Sequence, residues 1–243
     1  MNKTSSTYKP VRIPCDSEGN VITDEWVFTP ERLYSESHAR YLGGLIAGDL
    51  IGSAWEGQPA ESGRPLLTPD SAFTDETAVA LSALEALEEL QHESNDVEAF
   101  TKTFREKLKP RRDAGFSADM VAWIDGEPVV IDLEGNGAAI RAAAIMLLPG
   151  HDKRKLTFAR SMIRQTHSEE ATSLAMMYAR VFRWNLDRGN PGKLLAELIE
   201  EWPVLGLYDP DVFKRAGFDS TLWWTLPPAL HIGLKAESYD DMF

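Results

Sequence analysis

Thr74-Asp75-Glu76-Thr77 sets one hydroxyl and two carboxylates side by side where a proline-rich loop, Gly57 to Ser71, gives way to a helical pattern. Hard cations such as Mg²⁺ take oxygen donors of this kind, and a cation removes the repulsion between adjacent carboxylates. The same residues also make an ordinary helix start, with a hydroxyl at the N-cap and acids in the first turn, where the helix dipole favours them. Upstream, Gly44-Leu45-Ile46-Ala47-Gly48-Asp49-Leu50-Ile51-Gly52 precedes Glu56. Its glycines suit close backbone approach, with Asp49 capping something nearby. Downstream, Glu134-Gly135-Asn136-Gly137-Ala138-Ala139-Ile140-Arg141 puts a glycine-rich turn directly before a helix. That is either a plain Asn-Gly turn or an anion cradle, in which backbone N–H groups at the helix start meet a phosphate. Thr166-His167-Ser168-Glu169-Glu170-Ala171 carries a histidine at another helix start, where it can pack, cap or face a ligand.

The elements that must hold these groups read as helices. The apolar stretch Tyr41 to Trp55 carries small residues between its large ones, which predicts a central helix packed tightly against its neighbours. Leu81, Leu84, Leu87 and Leu90 drift round one face of a helix from Asp75 to Leu90, expected to lie on the first. Asn95 with Glu98 resembles a capping box for a helix that ends near Pro110. Further helices are expected over Ala138 to Leu148, from Ser168 to about Asp187, over Gly192–Glu201 and over Pro228–Ala236, with loop or short strand from Pro128 to Gly137. Residues 1–34 read as an arm with a small hairpin around Asp16 to Asn20, and residues 35–243 as one helical domain. The predicted fold class is all-α.

Composition bounds what such a domain meets. A chain of 243 residues, 43% hydrophobic, can build one sizeable core. Its formal charge of −13 is the wrong sign for tracking nucleic-acid backbone or settling on anionic lipid, so neither nucleic acid nor membrane is expected as a partner. One cysteine, Cys15, allows no internal disulfide, and the polar start lacks a secretory apolar run; both point to the cytoplasm.

Taken in order, G-x-x-x-G-D-x-x-G followed by Glu, T-D-E-T, G-N-G-A-A-x-R and T-H-x-x-x-A resemble the blocks of the ADP-ribosylglycohydrolase family, the dinitrogenase-reductase-activating glycohydrolase and its relatives. The resemblance covers roughly residues 40–236. It implies an orthogonal helical bundle that hydrolyses the bond between ADP-ribose and a protein side chain or related acceptor, using Mg²⁺ or Mn²⁺. By the same resemblance Thr74, Asp75 and Glu76 are metal ligands, and Glu56 and Asp113 are catalytic carboxylates. Gly135, Asn136 and Gly137 wrap the diphosphate, and His167 stands at the substrate cleft. Such a site binds an anionic substrate through backbone N–H groups, which reconciles it with an acidic protein.

Three features depart from the family's pattern. Glu76 stands where the family has a shorter aspartate, and Mg²⁺ is strict about ligand geometry. Leu133 and Glu134 stand where a small hydroxyl and an aromatic are usual. The sequence ends at Asp240-Asp241-Met242-Phe243, where a G-G-D-x-D-T block with further metal ligands is expected. The expectation is therefore a C-terminally incomplete domain of impaired hydrolytic activity. The alternatives are a module that binds ADP-ribose or an ADP-ribosylated protein without cleaving it, and a purely structural helical domain.

Overall fold

A computed structural model describes residues 36–54, 56, 65, 67–90, 96–127, 133–147, 152–186, 191–203 and 221–235. Among the described residues there are nine α-helices and no strand, only two isolated β-bridges, in line with the all-α expectation. They are α1 (Glu36–Ser53), α2 (Asp75–Glu89), α3 (Val97–Leu108), α4 (Ala118–Asp125), α5 (Gly137–Met146), α6 (Asp152–Ile163), α7 (Glu169–Leu186), α8 (Pro191–Glu201) and α9 (Leu222–Lys235). A 3-10 turn, Lys109–Arg111, follows α3. The hairpin expected around Asp16 to Asn20 lies outside the described residues.

Local chemistry accounts for most helix ends. Asp96 caps α3, its Oδ1 accepting from the Glu98 and Ala99 amides at 2.9 and 3.0 Å, so the cap falls one residue after Asn95. Pro110, in the 3-10 turn, marks the end of that helix. Ser168 Oγ accepts from the Ala171 amide and starts α7. Two helices escaped the sequence reading. α4 is bracketed by Ser117, whose hydroxyl accepts from the Met120 amide, and by Gly126, whose φ of 90° is a left-handed stop suited to glycine. α6 is too polar along its length for its apolar face to stand out. α9 begins six residues before Pro228 and runs through Pro227 and Pro228. Leu222, Leu226, Leu230 and Leu234 are all buried at four-residue steps, and that stripe outweighs the hydrogen bonds the prolines cannot make.

The centre of the molecule is α5, not the glycine-bearing helix. Ala138, Ala139, Ala142, Ala143 and Ala144 are buried on it, and it packs most extensively on α7, then α2, then α6. Short side chains let those helices approach, while the bulk of the core comes from residues around them such as Phe100, Phe104, Phe158 and Trp123. α1 does pack on α2, as expected. Its small residues Gly43, Gly44, Ala47, Gly48 and Gly52 are exposed, however, and nothing among the described residues comes within 4 Å of where a Cβ on those glycines would stand. α1 is therefore peripheral, and buries Leu42 instead.

Candidate functional site

Asp49, in the last turns of α1, organises the start of α2. Its Oδ2 accepts from the Thr74 amide at 2.9 Å, from the Thr77 amide at 3.3 Å and from the Thr77 hydroxyl at 2.5 Å, and its Oδ1 stands 2.5 Å from the Thr74 hydroxyl. Thr74 occupies the N-cap in an extended conformation, yet its own side chain does not cap the helix. The cap comes from a carboxylate 25 residues earlier. The helix start is thus capped, as the ordinary reading of T-D-E-T expects, but by a distant carboxylate and not by the Thr74 side chain.

The Thr74 hydroxyl oxygen also lies 2.5 Å from Glu76 Oε2. One hydroxyl proton cannot serve Asp49 and Glu76 together, so one of these short oxygen pairs needs a further proton or a cation between or beside it. The surrounding charge makes the same demand. Asp75 is pushed up to about 8, first by burial and then by the charge of Glu76 and a side-chain hydrogen bond with it, with Asp49 adding to the effect. Glu56, largely exposed just beyond α1, is held above the usual carboxylate range by partial desolvation first, then by Glu76 and Asp49. Glu56, Thr74, Asp75 and Glu76 are thus brought together, with Asp49 added to them. Oxygen donors with excess negative charge fit a hard cation. Among the described residues no three His, Cys, Asp or Glu side chains already stand at metal-ligand spacing, so a cation here would need the Thr74 hydroxyl and water as further donors.

A second group forms at the start of α5. Leu133 pairs in parallel with His167, and Gly135 pairs antiparallel with Thr221, so the short segment 133–135 ties the α6–α7 junction to the start of α9. The Leu133 amide donates to Thr166 O at 3.0 Å and the Leu222 amide to Glu134 O at 2.7 Å. Asn136 is the N-cap residue of α5; its backbone carbonyl accepts from the Ala139 and Ile140 amides, and its Oδ1 accepts from Thr225 Oγ1 at 2.5 Å. The amides of Gly137 and Ala138, like the first amides of any α-helix, find no acceptor among the described residues. His167 is 6% exposed and held far below the usual histidine range, at about 2, by burial first and by the Arg141 charge second. It is therefore neutral. A Cβ added to Gly137 would stand 3.9 Å from His167 Nε2, an ordinary contact, so Gly137 and His167 adjoin without crowding.

Asp113 makes no hydrogen bond or ion pair with either group among the described residues. It is exposed on the turn between the 3-10 helix and α4, and the charges that bear on Asp75 and Glu56 are those of Glu76 and Asp49. The two groups occupy the N-terminal starts of α2 and α5, helices that pack directly on each other. Thr77, Thr166 and Thr225 escaped the sequence reading. The first two are legible afterwards as the last residue of T-D-E-T and the first of T-H, whereas nothing local marks Thr225.

No curated protein matches the chain. A family model described as ADP-ribosylglycohydrolase matches residues 34–229, a span that takes in the acid group, the Gly135–Gly137 turn and His167. With four-fifths of its length under that match, the all-helical chain belongs to the ADP-ribosylglycohydrolase family.

Proposed function

We propose that the chain hydrolyses the bond between ADP-ribose and a protein side chain or a related acceptor, with Mg²⁺ or Mn²⁺ held by Thr74, Asp75 and Glu76. The observation that carries the reading is the Thr74 oxygen, 2.5 Å from both Asp49 and Glu76 with one proton to share, beside a carboxyl raised to about 8. When bound, the cation neutralises these carboxylates, orients the ribose hydroxyls and polarises water. Asp49 holds Thr74 so that its oxygen faces Glu76. Glu56, held above the usual carboxylate range, suits the exchange of a proton with attacking water. The Gly137 and Ala138 amides meet the diphosphate, with Gly135 and Asn136 shaping the turn and His167 Nε2 adjoining it. Asp113 takes the ribose or its leaving group from the exposed turn before α4.

A second reading, binding of ADP-ribose or a modified protein without cleavage, is favoured by the lack, among the described residues, of three acidic or histidine side chains already at metal-ligand spacing. One experiment separates the two. Calorimetric titration with ADP-ribose, with and without Mg²⁺, is paired with release of ADP-ribose from arginine- and serine-modified peptides. Mg²⁺-dependent release that Asp75→Ala abolishes supports the hydrolase. Binding with no release supports the binding module, and no binding in either condition rejects both.

A further inference from the structure

Arg141 is 1% exposed, and no carboxylate among the described residues pairs with it. Its guanidinium instead links two backbone regions that local sequence does not join. Nε donates to the Gly137 carbonyl at 3.2 Å, within the first turn of α5. Nη2 lies 2.6 Å from Thr166 Oγ1 and 2.6 Å from His167 Nδ1, at the junction of α6 and α7. Thr166 Oγ1 is itself 2.9 Å from the same Nδ1. The Phe104 ring, centred 5.8 Å from Arg141 Cζ, lies against the guanidinium.

Proton counting then decides the state of the ring. A guanidinium carries donors only. With one Nη2 hydrogen on Thr166 and the other aimed at Nδ1, a hydrogen on Nδ1 would meet another hydrogen head on. An Nδ1 hydrogen would have to go to Thr166 Oγ1, whose own hydrogen then turns to Ile163 O at 3.3 Å. It would leave the Arg141 donor, 2.6 Å away, with no lone pair to meet. The close Nη2 contact therefore points to a bare Nδ1, with the ring's hydrogen on Nε2, the nitrogen that adjoins Gly137. We infer that Arg141 is a positioning residue that locks His167 as the Nε2–H tautomer, so that the ring offers a fixed hydrogen-bond donor beside the Gly137 and Ala138 amides, which have no acceptor among the described residues. That the donor serves an oxygen of ADP-ribose rests on the function proposed above; the lock does not.

The test reads the tautomer directly, by nitrogen NMR of protein labelled with ¹⁵N-histidine, with His167 assigned through His167→Gln. The ligand-free wild type is expected to show one tautomer, Nδ1 in the unprotonated range and Nε2 in the protonated range. A wild-type ring with its hydrogen on Nδ1, or an average of both tautomers, overturns the inference whether or not any variant folds. Arg141→Gln replaces an obligate donor with an amide that can donate or accept, so both tautomers should appear and ADP-ribose binding should weaken by about tenfold. Thr166→Val keeps the guanidinium and should keep the single tautomer. An Arg141→Gln ring that stays wholly Nε2–H, in a protein that still binds ADP-ribose, overturns the lock and leaves the functional reading standing. A locked wild-type ring whose Nε2 signal ignores saturating ADP-ribose upholds the lock and rejects the ligand.

Discussion

At the scale of single residues, the site depends on side chains whose partners lie far along the chain. Asp49 accepts from two hydroxyls and two amides at the start of α2. Asp49→Ala leaves the two amides and the Thr77 hydroxyl without this acceptor, while the Thr74 hydroxyl keeps Glu76. Lost bonds to a charged acceptor outweigh relief of repulsion among the nearby acids, which for partly exposed groups amounts to about 1 kcal/mol or less. The expected net loss is about 2 kcal/mol, read as a lower urea midpoint with an unchanged slope. His167 supports a prediction with the opposite pH sense from a salt-bridged histidine. Its folded pKa is depressed to about 2, by burial and by the facing Arg141, against about 6.5 when unfolded. Its contribution is thus present in full above pH 6.5 and is lost progressively as pH falls from there toward 2, because only the unfolded chain takes up the proton. At pH 5 the loss is about 2 kcal/mol. The stability difference between wild type and His167→Gln should therefore move against the wild type by that amount between pH 7.5 and pH 5. A difference that stays constant would refute the buried neutral ring.

At the scale of elements, caps decide where helices begin, and the chain uses both local and distant ones. Asp96 caps α3 from its own residue, a pattern worth about 1 kcal/mol. Asp96→Ala should lower stability by that amount in thermal unfolding while leaving ADP-ribose and Mg²⁺ titrations unchanged, because α3 contributes to neither group. α2 is capped instead by a carboxylate from α1, which ties the order of that helix start to the position of another helix. The cap shift from Asn95 to Asp96 has a simple cause. Adjacent Asx residues can each fill the role in sequence, and the Asp96 oxygen reaches both amides.

For the molecule as a whole, the packing of α5 between α2 and α7 sets how the two groups of residues stand toward each other. Ala142 is fully buried on α5, whereas Ala47 on α1 is exposed. Ala142→Leu forces added methylenes into a filled interface and should cost about 1–3 kcal/mol. By moving α5 against α2, it should also weaken binding of ADP-ribose together with Mg²⁺. Ala47→Leu should change stability by about 0.5 kcal/mol or less. Paired thermal and calorimetric measurements on the two variants check the contrast, and equal losses would restore α1 to the centre. No helix among the described residues is long and apolar enough to cross a membrane.

The all-α class, most helix positions and the candidate blocks were legible in the sequence, because helical periodicity, N-capping residues and glycine turns are written within a few neighbouring positions. The order of the blocks likewise carried the family. Which small-residue helix lies at the centre was not legible. Gly43, Gly44 and Gly48 on α1 and Ala138, Ala142 and Ala143 on α5 both permit close approach, but permission does not bring a neighbour, and only the packing of all the helices placed α7 and α2 on α5. Tertiary structure also decided the partners of Asp49, 25 and 28 residues ahead, and of Arg141, whose contact with His167 spans 26. Hydrogen bonds over such separations depend on where helices cross. A crossing is a property of the filled core, which no short stretch of sequence contains.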